Sequence, residues 1–242
     1  AITVTDTGSV DSGHLETIRG MSTGFTDATA AGRINGTASE ITTLLGNEGT
    51  SGNTVGLDGN FTMTVSSGSA TVAQVNTMHA FSTTGEITAS ISNTDIAELD
   101  GLSTTSADQL TITVGDTSAT AAQLKTVGDA TGLNVTATAV QGISNSSVAQ
   151  VIALLTDEGG TGDKVNLDGD FTVAINDTGT VDANDLNTIN TATSGLVTAT
   201  TVGTINGSAA NINILITNEG DTGDKVNLDA DFNITVSDFK FR

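Results

Sequence analysis

The chain has 242 residues, enough to bury a sizeable core as one domain or two, and its 28 acidic residues outnumber 7 basic ones for a net charge of −21. Such a surface repels a phosphate backbone and an anionic lipid headgroup alike, which argues against nucleic-acid and peripheral membrane partners. There is no Cys, Pro, Trp or Tyr and only seven Phe, so disulfides are excluded and the apolar material is mostly Ala, Val, Ile and Leu.

Read from the start, Ala1 to Thr5 alternates as a strand, and a helix start follows at Asp11. Eight times the chain shows a capping residue, two spacers, a polar residue and then two apolar residues three apart. The first four run Asp11-His14-Leu15-Ile18, Thr37-Glu40-Ile41-Leu44, Thr71-Gln74-Val75-Met78 and Ser92-Asp95-Ile96-Leu99. The second four run Thr120-Gln123-Leu124-Val127, Ser147-Gln150-Val151-Leu154, Asp182-Asp185-Leu186-Ile189 and Ser208-Asn211-Ile212-Leu215. Thr37, Thr71, Thr120 and Ser147 have the strict capping-box form, in which cap and N3 side chains satisfy each other's amide protons. The pattern predicts eight helices of two to three turns.

Between them lie strand-like runs of period two. "FTMTV" (61–65), "LTITV" (110–114) and "FTVAI" (171–175) precede the first helix of a unit. "FTDATA" (25–30), "EITASI" (86–91), "LNVTATAV" (133–140) and "LVTATTV" (196–202) precede the second. Short and long cap-to-cap steps alternate, the longest running from Thr37 to Thr71 and from Ser147 to Asp182. The unit is therefore about sixty residues with two strand-helix halves, at about 1–60, 61–109, 110–170 and 171–231 of one repeat domain, 1–242, with a tail at 232–242. A half this small cannot bury its own apolar stripe, whereas stacking neighbours makes one continuous core. The expected fold is an α/β solenoid: a parallel sheet of stacked strands with short capped helices. An all-β coil, with the helices tightened into turns, is the alternative.

The stretch "TGDKVNLDGDF" (161–171) returns as "TGDKVNLDADF" (222–232). Val165, Leu167, Gly169, Phe171, Val173 and Ile175 share one face of a continuous extended strand. Because Gly169 becomes Ala230, a tight Asp-Gly turn is not expected there. The outward carboxylates have two readings. Ca²⁺ takes six to eight oxygen ligands, and Asp163, Asp168 and Asp170 surround one glycine-rich loop, Asp224, Asp229 and Asp231 the other. A solvated acidic face is the other reading: like charges two strands apart, about 10 Å, repel by only about 0.4 kcal/mol in water and ~1.7 at an effective dielectric of 20. No cofactor is required, and calcium is the one ion these loops suit.

Catalytic signals are lacking. His14 falls at an N3 cap position and His79 after the helix that starts at Thr71, so both are expected in cap or surface roles. No GxSxG, P-loop or HExxH occurs, and the acidic pairs come without aromatic platforms for sugar stacking. The expectation is not an enzyme. No apolar run approaches a membrane span or a signal peptide, and a chain starting at Ala1 is read as a processed form or part of something longer.

The last eleven residues, "FNITVSDFKFR", begin a fifth unit and hold three of the seven Phe with Lys240 and Arg242. An unpaired strand edge invites another chain. The residues expected to mediate self-assembly are Ile2 and Val4 at the start, with Phe232, Ile234, Val236, Phe239, Lys240, Phe241 and Arg242 at the end. A contact of this kind makes filaments when it does not close into a ring.

The units "TVDANDLNTINTATSGLVTATTVGTINGSAANINIL" and "ATAAQLKTVGDATGLNVTATAVQGISNSSVAQVIALL" resemble repeats of very large secreted or cell-surface proteins of marine bacteria, which are rich in Asp and Thr. The resemblance spans nearly the whole chain and implies an extracellular structural or adhesive role. The expected function is an extracellular structural subunit of a filament or surface layer, a homo-oligomer built by end-to-end contact. An adhesin or phage-fibre-like binding module recognising a surface ligand is the alternative. A calcium-dependent enzyme such as a polysaccharide lyase is disfavoured.

Overall fold

The computed structural model describes residues 1–156 and 165–238. The chain forms two compact units, residues 1–113 with 129–133 and residues 114–128 with 134–242. Each is of α/β character, and every strand pairing among the described residues is parallel.

In the first unit the order is β1 (Ile2–Thr3), β2 (Ser9–Asp11), α1 (Ser12–Gly20), β3 (Thr26–Asp27), β4 (Arg33–Thr37), α2 (Ala38–Gly46), β5 (Val55–Gly56), β6 (Thr62–Ser67), α3 (Val72–Phe81), β7 (Ile87–Ser90), α4 (Ile96–Leu99) and β8 (Gln109–Thr111). Two sheets result, β1-β3-β5 and β2-β4-β6-β7-β8. Ser9 pairs with Arg33 and Arg33 with Thr62, a shorter step along the chain followed by a longer one. Helices pack on their successors, α1 on α2 and α2 on α3. Leu15, Ile41, Leu44 and Met78 from the helices meet Ile34, Met63, Ile87 and Leu110 from the strands, all fully buried.

The second unit continues with β9 (Ser118–Ala119), α5 (Ala121–Asp129, its last residue counted with the first unit), β10 (Val135–Ala137), β11 (Gly142–Ser146), α6 (Val148–Leu155), β12 (Val165–Leu167), β13 (Thr172–Ile175), β14 (Thr180–Asp182), α7 (Ala183–Ala192), β15 (Val197–Ala199), β16 (Thr204–Gly207), α8 (Ala209–Thr217), β17 (Val226–Leu228) and β18 (Asn233–Val236). Its sheets are β9-β11-β13-β15-β17, β14-β16-β18 and the pair β10-β12. Thr180 pairs with Thr204 and Thr204 with Asn233, the same two steps as from Ser9 to Arg33 to Thr62. Phe171, Val173, Val197, Ile205 and Leu215 are buried in its core.

The helices start where the caps place them. Thr37, Thr71 and Ser147 form reciprocal capping boxes with Glu40, Gln74 and Gln150. Thr120 does the same with Gln123, at 3.1 and 3.2 Å. Asp11, Asp182 and Ser208 accept single amide protons as N-caps. The fourth start moves. Ser92 stays in the strand ladder, its amide bonded to the Ala70 carbonyl, and Asn93 turns its side chain to the Val72 amide of α3. Asp95 becomes the cap and α4 keeps only four residues.

The 165–175 segment corrects the expectation of one strand. β12 pairs with β10 while β13 pairs with β11 and β15, and a turn at 168–170 separates them. The alternation carries through the turn, with Val165, Leu167, Phe171, Val173 and Ile175 buried, but Gly169 is exposed rather than on the apolar face. Neither Gly169 nor Ala230 has a positive φ. The turn is therefore of a kind Ala adopts freely, and the Gly-to-Ala change carried no information about it.

Close approach of backbones fixes two glycines. A Cβ on Gly85 would lie 2.0 Å from the Phe61 carbonyl oxygen, and one on Gly195 2.3 Å from that of Phe171. Beside each glycine a buried hydroxyl donates to the same carbonyl, Ser82 to Phe61 and Thr193 to Phe171. Asp108, 1% exposed, performs a similar task in the first unit. Its two carboxylate oxygens accept the amide protons of Ile87 (2.9 Å) and Thr105 (3.0 Å).

These contacts set an order of cost. Asp108→Ala strands two amide donors and should destabilise by about 2–4 kcal/mol. Gly195→Ala should cost about 1–3 kcal/mol through forced strand separation. Thr71→Ala should cost about 1 kcal/mol. Urea titrations of the three variants check the ranking, and an Asp108 variant no weaker than Thr71→Ala would refute the anchoring role.

Candidate functional site

The acidic turns come first. Asp168 and Asp170 lie exposed in the turn between β12 and β13, where the Asp168 carboxylate accepts the Gly169 amide proton (2.9 Å). With Thr117, Gln141, Gly142 and Thr172 they line an open depression of about 600 Å³. Asp229 and Asp231 occupy the corresponding turn before β18, and the Asp229 carboxylate accepts the Asp231 amide proton (3.2 Å). Asp224 lies elsewhere, on a depression of about 460 Å³ with Gly169, Asn190, Ser194 and Asn218. Asp163 falls outside the described residues. Among the described residues no three His, Cys, Asp or Glu side chains converge as a metal centre would require. Asp168 and Asp229 instead each hold a neighbouring amide, the latter in the i+2 geometry of an Asx turn.

His79 is not on the surface as expected. Its side chain is 15% exposed, and Nδ1 lies 3.4 Å from Asp108 Oδ2, an ion pair when the imidazole is protonated. The two partners stand far apart in the sequence, so no local motif announces the pair. Since Asp108 already serves two amides, the arrangement reads as a structural anchor. His14 is at the cap as expected, its amide bonded to Asp11 (2.9 Å).

The sheet edges hold the remaining candidates. Among the described residues β1 has one neighbour, β3, and β18 has one, β16. Ile2 and Val4 are half-buried, with the Val4 amide donating to the Asp27 carbonyl at 2.7 Å. Phe232 and Val236 are half-buried too, whereas Ile234 is 49% exposed. Phe239, Lys240, Phe241 and Arg242 fall outside the described residues. Sequence patterning did not single out Ile214 and Ile216 of α8, which are 49% and 45% exposed. A counterpart bears on Ile216 alone: Leu45 stands eight residues after its cap Thr37, as Ile216 does after Ser208, and is 1% exposed on a helix that packs on α3, whereas Thr43, the counterpart of Ile214, is exposed. Ile205, paired with Ile234, is fully buried.

In β3, between β1 and β5, Asp27 accepts hydrogen bonds from the Thr29 hydroxyl (2.8 Å) and amide (3.1 Å), which hold its carboxyl below the usual carboxylate range. A depressed value means that the contribution to stability is present at neutral pH and lost as acid protonates the group. No protein-family model, curated protein or solved structure matches the chain. No described helix is long and apolar enough to cross a membrane.

Two measurements follow from these charges. Raising NaCl from about 10 mM to about 0.5 M should raise the melting temperature by screening the net charge of −21, while Ca²⁺ at matched ionic strength adds nothing further. A Ca²⁺-specific rise would contradict the solvated-face reading. In Thr29→Ala, an NMR titration of the Asp27 carboxyl should show its midpoint moving up toward the ordinary range, and an unmoved midpoint would refute the assigned cause.

Proposed function

We propose that the chain is an extracellular structural protein, a subunit of a filament or surface layer that assembles by end-to-end stacking of α/β solenoids. Four units of about sixty residues, each of two strand-helix halves, make up the chain in this reading. The recurring alternation of shorter and longer pairing steps supports it: Ser9 to Arg33 to Thr62 in one compact unit, Ser118 to Gly142 to Thr172 and Thr180 to Thr204 to Asn233 in the other. The resemblance to repeats of secreted surface proteins supports the location.

The observation that carries the reading is the contrast between equivalent positions. Leu45 is 1% exposed and Ile216 45%; Ile205 is fully buried and Ile234 49% exposed. Covering Ile216 and Ile234 would contribute about 1 kcal/mol each, from roughly half a side chain apiece. Main-chain hydrogen bonds along β18 would add to this, since a sheet edge accepts a further strand without new side-chain chemistry.

Sedimentation velocity and electron microscopy across a concentration series test the proposal. The intact chain should form linear multimers. Ile216→Asp combined with Ile234→Asp should leave it monomeric with its melting temperature little changed, because both side chains are already half in water. Monomers at every concentration would overturn the reading.

A further inference from the structure

The depression that Asn190 and Asp224 line has a counterpart in the first unit. There the loop after α2 returns to β5 through a bond from the Val55 amide to the Asn47 carbonyl (3.0 Å). The loop after α8 returns to β17 in the same way, from the Val226 amide to the Asn218 carbonyl (3.0 Å). Thr26 pairs with Val55 as Val197 does with Val226, and Asp11 caps α1 at the same distance before Thr26 as Asp182 caps α7 before Val197. In this register Glu16, Arg19, Asn47 and Asn53 correspond to Asn187, Asn190, Asn218 and Asp224.

In the first unit the chain's own guanidinium fills the place. Arg19, in the last turn of α1, donates to Glu16 from Nη2 (2.8 Å) and Nε (3.1 Å), and from Nη1 to the main-chain carbonyl of Asn53 (3.5 Å). The Asn47 side chain donates to Glu16 as well (3.0 Å). With its amide turned so that both atoms find partners, Asn53 accepts from Arg19 Nη1 (3.3 Å) and donates to the carbonyls of Arg19 and Ser22 (3.1 Å each).

In the second unit the corresponding positions carry acceptors and no cation. Asn190 is only 5% exposed, yet its Oδ1 is buried without a hydrogen-bond partner, and so is that of Asn187 one turn earlier. A buried amide oxygen left unpaired costs free energy that a donor would recover. No hydrogen bond fixes the Asn190 amide among the described residues, so its oxygen can turn to a donor placed in the depression. Asp224 stands where Asn53 does. A carboxylate only accepts, so it brings the carbonyls of Asn190 and Thr193 no donor of the kind Asn53 gives those of Arg19 and Ser22. The depression, about 460 Å³, also lies at the C-terminal end of α7, where the helix dipole favours a positive charge.

We propose that this depression binds a guanidinium group from another molecule, held by the Asp224 carboxylate and the Asn190 side-chain oxygen as the Arg19 guanidinium is held by Glu16 and Asn53. The site is independent of end-to-end assembly. A guanidinium suits it better than an ammonium, because its planar fork reaches several acceptors at once and it sheds water more easily. Ca²⁺ suits it less, since one carboxylate falls far short of the oxygen shell that ion takes. The bearer is a small guanidino compound or an arginine side chain of a partner protein, and both present the same chemistry.

Methylguanidinium titrated into the intact chain should shift the side-chain amide NMR signals of Asn190 and saturate, while methylammonium at matched ionic strength leaves them nearly unmoved. Asp224→Asn places the first unit's residue at an exposed position, so the variant should fold, and it should bind about tenfold more weakly through loss of a charge-assisted bond. Asn190→Arg supplies an internal guanidinium and should raise the melting temperature and abolish the response. Should that variant misfold, Asp224→Asn decides alone. No response to methylguanidinium overturns the proposal. Equal responses to the two cations, or unchanged affinity in Asp224→Asn, overturn it as well, because they show only general attraction to an acidic surface. A blocked Gly-Arg-Gly peptide separates the bearers: binding at least as tight as methylguanidinium marks an arginine of a partner protein, and exclusion marks a small compound.

Discussion

Parallel pairing between strands that a whole strand-helix excursion separates is the constraint on which the rest of the structure depends. A parallel neighbour cannot be reached by a tight turn, so the chain must leave the sheet and return, and here a short helix or a loop fills each return. The crossover keeps each strand's side chains in register with those of the strand before. In this register one apolar residue per strand, Ile34 then Met63 then Ile87, lines up as a continuous buried row. The crossover also brings backbones so close that Gly85 and Gly195, each beside a buried hydroxyl, pass the carbonyls of Phe61 and Phe171.

The helix starts were legible in the sequence because a capping box is local chemistry: Thr71 and Gln74 satisfy each other within three residues, whatever the tertiary context. The exception is instructive. At Ser92 the ladder bond to Ala70 outcompeted the cap, and the distant Val72 amide took the side chain of Asn93, neither of which a local pattern contains. The strands that run straight into the caps were not legible. "RINGT" and "TING" offer a single isoleucine among Gly, Asn and Thr, too little alternation to mark a strand, and they are held by neighbours on both sides rather than by propensity. The turn at 168–170 was hidden for the opposite reason, since the apolar alternation runs through it unbroken.

Of the candidate site, the alternating residues of β1 and β18 could be read directly, but their status as edges depends on which strands pair, a fact of topology. Ile214 and Ile216 look like any other apolar residues of a capped helix. Ile216 stands out only against Leu45, which is buried at the same distance from its cap. The carboxylates posed the converse problem. Their abundance around two similar loops suggests a ligand shell, yet at Asp168 and Asp229 the structure spends the carboxylate on an amide one or two residues away. Composition reveals how many oxygen ligands a loop carries and not whether they converge.

Charge and edge geometry then act together. In the proposed assembly, copies carry like charge, with a net charge of −21 and exposed carboxylates such as Asp58, Asp168, Asp170, Asp229 and Asp231 outside the strands. Side-by-side association must bring such faces together at close range, where screening at physiological salt still leaves repulsion within roughly 8 Å. End-to-end association meets less of this, since the bare residues of α8 and β18 are Ile214, Ile216 and Ile234, and two of the chain's seven basic residues, Lys240 and Arg242, follow β18 in the sequence. Under the proposed reading, the acidic surface leaves the end-to-end contact as the association of lowest cost, which is the condition for a chain with unpaired sheet edges to grow in one dimension instead of aggregating in three.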